Sequence, residues 1–325
     1  MQRFRASLML MAGLIAIPLA ASAEQNWSTA KPIKVEVISA AGGLTDIVPR
    51  LLSNSLSEST GVPVVIEDRP GAGGNIAAGI VAKADPDGHT LLMTGSNQAV
   101  NPTLLPDPGF DYERDLKPLS MAVVAKMLLV AAPSFPAKNI ADVIRMAKER
   151  PKSVSIAISP IGTPNHLGAE MLAQYGGVDL TFVPYGGIAQ AVPDVIAGRV
   201  DLAIGAVPSV LPQITAGKLK ALATVSGQRS PLAPGVPTSG EAGLPNFLID
   251  AWICFMVTGG TPDATVNYLD KHIAKALTLS DVKQAFARQG VEVLHMGPQE
   301  LGTFLQSEAS RFGTLLKNSK VAASR

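Results

Sequence analysis

Short apolar runs rich in β-branched residues alternate with longer amphipathic stretches along most of this chain. Residues 33–38 have strand length and composition. Residues 46–60 then place Ile47, Val48, Leu51, Leu52 and Leu56 at helical spacing. A second strand is predicted at 62–67, a helix at 75–84, and a third strand at 90–94 after the turn Asp85-Pro86-Asp87-Gly88. The middle repeats the rhythm, with strands at 126–132, 155–158, 180–183, 200–204 and 219–225. Helices are predicted there at 140–149 and 164–175, with a third ending at 197 and carrying Pro193. The tail changes to helical patterns at 261–277, 281–290 and 298–317, with one short strand at 291–294. Such βαβ alternation predicts a mostly parallel sheet with helices on both faces. The Pro- and Gly-rich residues 226–246 read as a crossing segment between lobes.

The first 23 residues are set apart from this pattern. Arg3 and Arg5 form a positive start, residues 8–16 an apolar run, and Ala21-Ser22-Ala23 a small-residue cleavage site. We expect a secretory signal peptide over 1–23, a mature chain beginning at Glu24, and a periplasmic location. About 300 mature residues exceed one small core, so two lobes are expected. The formal charge is +1, and removal of Arg3 and Arg5 leaves −1. That balance gives no reason to invoke nucleic acid or an anionic membrane surface. Cys254 is the single cysteine and lies in the apolar run 252–257, so it reads as a small buried hydrophobe.

Two glycine-rich turns follow the first two predicted strands: Ala41-Gly42-Gly43-Leu44-Thr45-Asp46 and Arg69-Pro70-Gly71-Ala72-Gly73-Gly74-Asn75. Each leaves the first N–H groups of the next helix available to an anion, and glycine lets a ligand approach the backbone. Either alone reads first as a tight structural turn; on one edge of a parallel sheet the pair suggests one anion held by two helix ends. Asp46 is either a helix cap or a residue near the ligand. Ser96 and Asn97 follow the third strand on the same sheet edge. Thr163 and His166 open a helix of the second lobe, as does Tyr185-Gly186-Gly187. His166 reads either as a local structural residue of its helix's first turn or, with Thr163, as a donor to a bound carboxylate. The four histidines form no metal motif, there is no Gly-x-Ser-x-Gly elbow, and the second turn lacks the Lys-Ser/Thr ending of a P-loop. No metal and no cofactor are expected. Four donor-rich openings without a catalytic group describe a binding cleft rather than an enzyme.

At these residues the chain resembles the tripartite tricarboxylate transporter receptor family, the Bug-type periplasmic solute-binding proteins. The resemblance rests on Gly-Gly-x-Thr-Asp after the first strand, Glu-x-Arg-Pro-Gly-Ala-Gly-Gly-Asn after the second and Pro-Asp-Gly-x-Thr-Leu-Leu before the third. Gly162-Thr163-Pro164-Asn165-His166-Leu167, Val183-Pro184-Tyr185-Gly186-Gly187, Gly198-Arg199-Val200-Asp201-Leu202 and Gly259-Gly260-Thr261-Pro262 agree with it. It implies an α/β, two-lobe Venus-flytrap fold of the type 2 periplasmic-binding class. Lobe 1 would span 24–126, lobe 2 127–246, and the return to lobe 1 with hinge-bracing helices 247–325. It further implies a small organic carboxylate held between the lobes, delivery to a two-subunit membrane permease, and a monomeric receptor. The matching site positions are Gly42, Gly43, Thr45, Asp46, Gly73, Gly74, Asn75, Ser96, Asn97, Thr163, His166 and Tyr185. Two positions depart from the family pattern. Ser39 stands among small residues where prolines are common, which predicts a roomier and more polar cleft. Ala203-Ile204-Gly205 stands where amino-acid-binding members resemble Met-Phe-Asp, and a buried ammonium lacking a carboxylate is costly. The expected ligand is therefore a dicarboxylate without an amine, aromatic or aliphatic. A sensory partner of a membrane receptor is the alternative role.

Overall fold

The computed structural model describes residues 27–28, 30–105, 107–317 and 319; the expected signal peptide and cleavage site lie outside them. The first lobe opens with β1 (Ile33–Val37), α1 (Leu44–Thr60), β2 (Val64–Asp68), a 3-10 turn at Ala72–Gly74 and α2 (Asn75–Ala82). β3 (Thr90–Thr94) and α3 (Asn97–Leu104) follow. The long strand β4 (Leu116–Ala131) leads to α4 (Ile140–Glu149), β5 (Ser155–Ile158), α5 (Pro164–Gly176), β6 (Thr181–Pro184) and α6 (Ile188–Ile196). β7 (Leu202–Ala206), α7 (Val207–Thr215) and β8 (Lys220–Thr224) complete the second lobe. The chain returns through β9 (Asp250–Thr258) and closes with α8 (Asp263–Thr278), α9 (Ser280–Arg288), β10 (Glu292–Met296) and α10 (Pro298–Lys317).

Strands pair in the order β2-β1-β3-β9-β4-β7-β5-β6, with β8 and β10 also on β4. Within each lobe the βαβ units are parallel, as the alternation predicts: β1 with β2 and β3, β5 with β6 and β7. The strands that join the lobes are antiparallel, which the sequence pattern does not reveal. β4 pairs with β9 along Leu116–Lys126 and with β7 along Met127–Ala131. One strand thus belongs to both lobes, and its changeover at Lys126 and Met127 marks the bottom of the cleft.

Its burial explains the length of β4: nearly every residue from Leu119 to Ala131 is inaccessible, as expected for a strand covered on both faces. The main core runs unbroken through both lobes and includes Phe247, Phe255, Phe286 and Phe312. A smaller cluster, with Leu128, Val195 and Val210, fills the far face of the second lobe. Cys254 is fully buried in β9, and burial pushes its thiol well above the usual range. α10 packs on both α3 and α5 and so ties the lobes together behind the cleft. Gln174 Nε2 donates to Leu315 O at 2.7 Å, and Ser319 Oγ to Glu170 Oε1 at 2.6 Å.

Candidate functional site

A cleft of about 590 Å³ lies between the lobes. The N-termini of six helices reach its walls: α1, α2 and α3 from one side, α5, α6 and α7 from the other. None of the six is capped by a side chain. By contrast, α4 is capped by Asn139, whose side chain accepts the Asp142 N–H. Each helix start carries a partial positive charge of roughly half a unit, concentrated on N–H groups without an intrahelical acceptor. Among the described residues, no Lys, Arg, Asp, Glu or His lines the cleft. Its electrostatics therefore come from backbone dipoles, which favour an anion from both sides.

Seven of the expected site residues line this cleft: Ser39, Thr45, Gly73, Gly74, Ser96, Asn97 and Thr163. Thr45 Oγ1 donates to Ser39 Oγ at 2.6 Å, joining the first turn to the end of β1. Gly73 and Gly74 have φ of +63° and +97°, and a Cβ on Gly74 would sit 3.0 Å from Ile38 Cγ2. Only glycine supplies that backbone at that closeness. Ser96 reaches across the cleft: its hydroxyl donates to Gly162 O at 3.2 Å.

The other seven lie outside the lining, each for a physical reason. The Gly42 N–H already donates to Asp46 Oδ2 at 2.7 Å, so the first turn offers fewer free donors than its glycines imply. The Gly43 N–H is likewise taken up within the turn, by Ala40 O at 3.2 Å. Asp46 is buried and also accepts from Arg50, which bridges to Asp68 at 2.9 Å; the carboxylate braces the two turns together. Burial would raise its pKa, but the Gly42 N–H and Arg50 outweigh this and hold it below the usual range. Asn75 Oδ1 accepts from Asn101 and from the Tyr112 hydroxyl at 2.7 Å, which fixes α2 to α3. Tyr185 turns its hydroxyl to Asp194 at 2.7 Å. Gly205 is needed by packing, since a Cβ there would overlap Val210. His166 is 1% exposed and faces its own helix, and burial lowers its pKa to about 4.

Polar reasoning missed the floor and part of the second wall. Met127, Ala251, Trp252 and Ile253 line the floor where β4 and β9 pair, with the Trp252 ring turned to Phe304 and Glu308 of α10. The Trp252 indole N–H is already given to Glu308 at 3.2 Å, so the ring contributes no donor to the cleft. Ser159, Asn165, Gly186, Gly187 and Ser209 complete the second wall. The Tyr185-Gly186-Gly187 motif marked two of these. The Asp201 carboxylate, just before β7, accepts from the Ser155 N–H and hydroxyl, both at 2.7 Å.

Comparison with known proteins places this geometry. A family model described as "Tripartite tricarboxylate transporter family receptor" matches residues 48–321. Protein BugT of Bordetella pertussis is 34% identical over 301 residues, 92% of each chain. MatC of Rhodopseudomonas palustris, solved with bound malate, superposes with a TM-score of 0.77 at 30% identity, covering 89% of this chain and 99% of that one. An R. palustris protein solved with adipate gives 0.78 at 31% identity, covering 89% and 97%. The periplasmic binding protein BugD gives 0.76 at 32%, covering 89% and 98%.

Proposed function

The chain belongs to the tripartite tricarboxylate transporter receptor family, and we propose that it captures an amine-free dicarboxylate between its lobes. The observation that carries this reading is a cleft lined by six helix N-termini and, among the described residues, by no charged side chain. A carboxylate taken from water needs two or three good donors, and uncapped helix starts provide them on both walls. Two walls of donors suit two carboxylates, one for each lobe. An ammonium would find no carboxylate partner and would meet the positive ends of the helix dipoles, so amino acids are disfavoured. Met127, Ala251 and Ile253 suit an apolar spacer between the two acid groups. The binding of malate and of adipate by the relatives named above supports this class of ligand. Site contacts are assigned to Ser39, Thr45, Gly73, Gly74, Ser96, Asn97, Thr163, Asn165, Gly187 and Ser209. The loaded receptor would hand its acid to a two-subunit membrane permease, after export of the chain by the N-terminal signal peptide.

Isothermal titration with succinate, malate, adipate, phthalate, aspartate and glutamate tests the reading. Binding of one or more amine-free dicarboxylates, with aspartate and glutamate at least tenfold weaker, is the expected result. Preference for either amino acid over every amine-free acid would overturn it.

A further inference from the structure

The row His166, Glu170 and Gln174 runs along one face of α5, from the cleft turn to the C-terminal helix. At its upper end the Gly162 N–H donates to His166 Nδ1 at 3.4 Å. The Gly162 carbonyl accepts from Ser96 of the other lobe. One residue is thus held through its N–H by its own lobe and through its C=O by the opposite lobe. Gly162 has φ of +87°, and a Cβ there would lie 3.0 Å from Val100 Cγ2 of α3. Its neighbours Ser159, Pro160 and Thr163 line the cleft. The turn's own bonds, Thr163 N–H and Thr163 Oγ1 to Pro160 O at 3.1 and 2.7 Å, bypass the Gly162 N–H. His166 is the acceptor that orients it.

We propose that His166 is a positioning residue of the cleft: neutral, with its proton on Nε2, it holds the turn 159–163 in the shape that lines the site and meets Ser96. The proposal rests on the reading of the cleft as the ligand site, but its first test does not. An acceptor at Nδ1 requires the Nε2–H tautomer. Nε2 then lies 3.7 Å from Glu170 Oε1, beyond hydrogen-bond distance, and has no other hydrogen-bond partner among the described residues. Glu170 is buried, and it accepts from the Ser319 hydroxyl; Gln174 is bonded to α10 one turn further along. Because α10 also packs on α3, the turn, α5, α10 and α3 form a closed mechanical ring around the Ser96–Gly162 contact. A lost acceptor in this ring leaves a buried N–H unpaired and the turn free to rotate.

Three variants separate positioning from bulk. His166→Asn keeps an acceptor near the place of Nδ1, His166→Gln moves it towards the place of Nε2, and His166→Leu removes it. In the ligand-free protein, amide exchange of Gly162 measured by NMR should quicken about tenfold in the Leu and Gln variants. It should return to within about threefold in the Asn variant. Exchange at Ala169 and Met171 should not change. With adipate, or malate if adipate does not bind, the dissociation constant should follow the same order. Imidazole ¹⁵N spectra of the wild type should show an unprotonated Nδ1 and a protonated Nε2, which decides the matter even if a variant fails to fold. The opposite tautomer, unchanged Gly162 exchange in the Leu variant, or equal effects of all three substitutions would overturn the proposal. Should no dicarboxylate bind the wild type, the functional reading fails while exchange and tautomer still judge His166.

Discussion

Substituting Gly162 by alanine tests whether contact between the lobes contributes to ligand capture. Two costs can be read from the structure. The first is backbone strain, because φ is +87° and a left-handed alanine costs about 1–2 kcal/mol. The second is crowding: the new Cβ would stand 3.0 Å from Val100 Cγ2 and 3.4 Å from Leu104 Cδ1, both on α3 of the other lobe. Relieving it requires the lobes to separate by a few tenths of an ångström, at about 1–2 kcal/mol. Strain is paid whether the cleft is open or closed, but crowding arises only when the lobes meet. Gly177→Ala is the control. Gly177 is also left-handed, at φ +60°, yet it is exposed and a Cβ there would meet nothing within 4 Å. Urea denaturation should therefore show both variants about 1–2 kcal/mol less stable than the wild type, with the Gly162 variant losing more. Isothermal titration with the best-bound dicarboxylate should show a roughly 5- to 30-fold weaker constant for Gly162→Ala and none of this for Gly177→Ala. Equal affinity in the two variants would refute the argument that closure depends on this contact.

Two further outcomes follow from buried titratable groups. His166 titrates at about 4 in the fold against 6.5 ordinarily, because burial disfavours its cation. Above pH 6.5 its contribution to stability is complete. As pH falls towards 4 the unfolded chain takes up a proton that the fold refuses, at up to about 3 kcal/mol. Glu170 and Glu36, raised by burial, act with the opposite sign: their contribution is present at low pH and lost as pH rises through their raised values. Comparing urea midpoints of wild type and His166→Asn at pH 7 and 5 isolates the histidine. The wild type should lose more stability on acidification, and a pH-independent difference would contradict this. Cys254, fully buried with its thiol pushed above the usual range, should resist a thiol reagent at pH 8 in the native protein and react once per chain in guanidinium; reaction of the folded protein would contradict its burial.

Much of the architecture is local and therefore legible in the chain. Strand Thr90–Thr94, helix Ile140–Glu149 and helix Pro298–Lys317 fall where periodicity and turn residues predict them, because each satisfies its own pattern without help from afar. The misses share a cause. α3 contains Asn97, Asn101 and Pro102, and α7 contains Pro208 and Pro212, so neither has a helical signature along its length; α3 is held by packing on α10, and α7 by packing on β4 and β7. Only the end of β4, from Lys126 to Ala131, is predicted. Lys117, Pro118 and Ser120 disguise the first half, which is a strand because β9 lies alongside it.

The site divides in the same way. Glycine turns after strands, and the uncapped helix starts they create, follow from residue order, so the chain alone announces an anion-binding edge. Whether a given polar residue faces the anion does not follow from residue order. Asp46, Asn75, Tyr185 and His166 have the right chemistry, yet each is drawn to a nearer partner in the fold: Gly42, Tyr112, Asp194 and Gly162 respectively. Met127 and Ile253 have unremarkable chemistry, yet they line the floor because two strands distant in sequence pair there. Affinity for an anion is a property of the backbone and can be read along the chain. The shape that selects among anions is made by contacts between the lobes, and it exists only once they have come together.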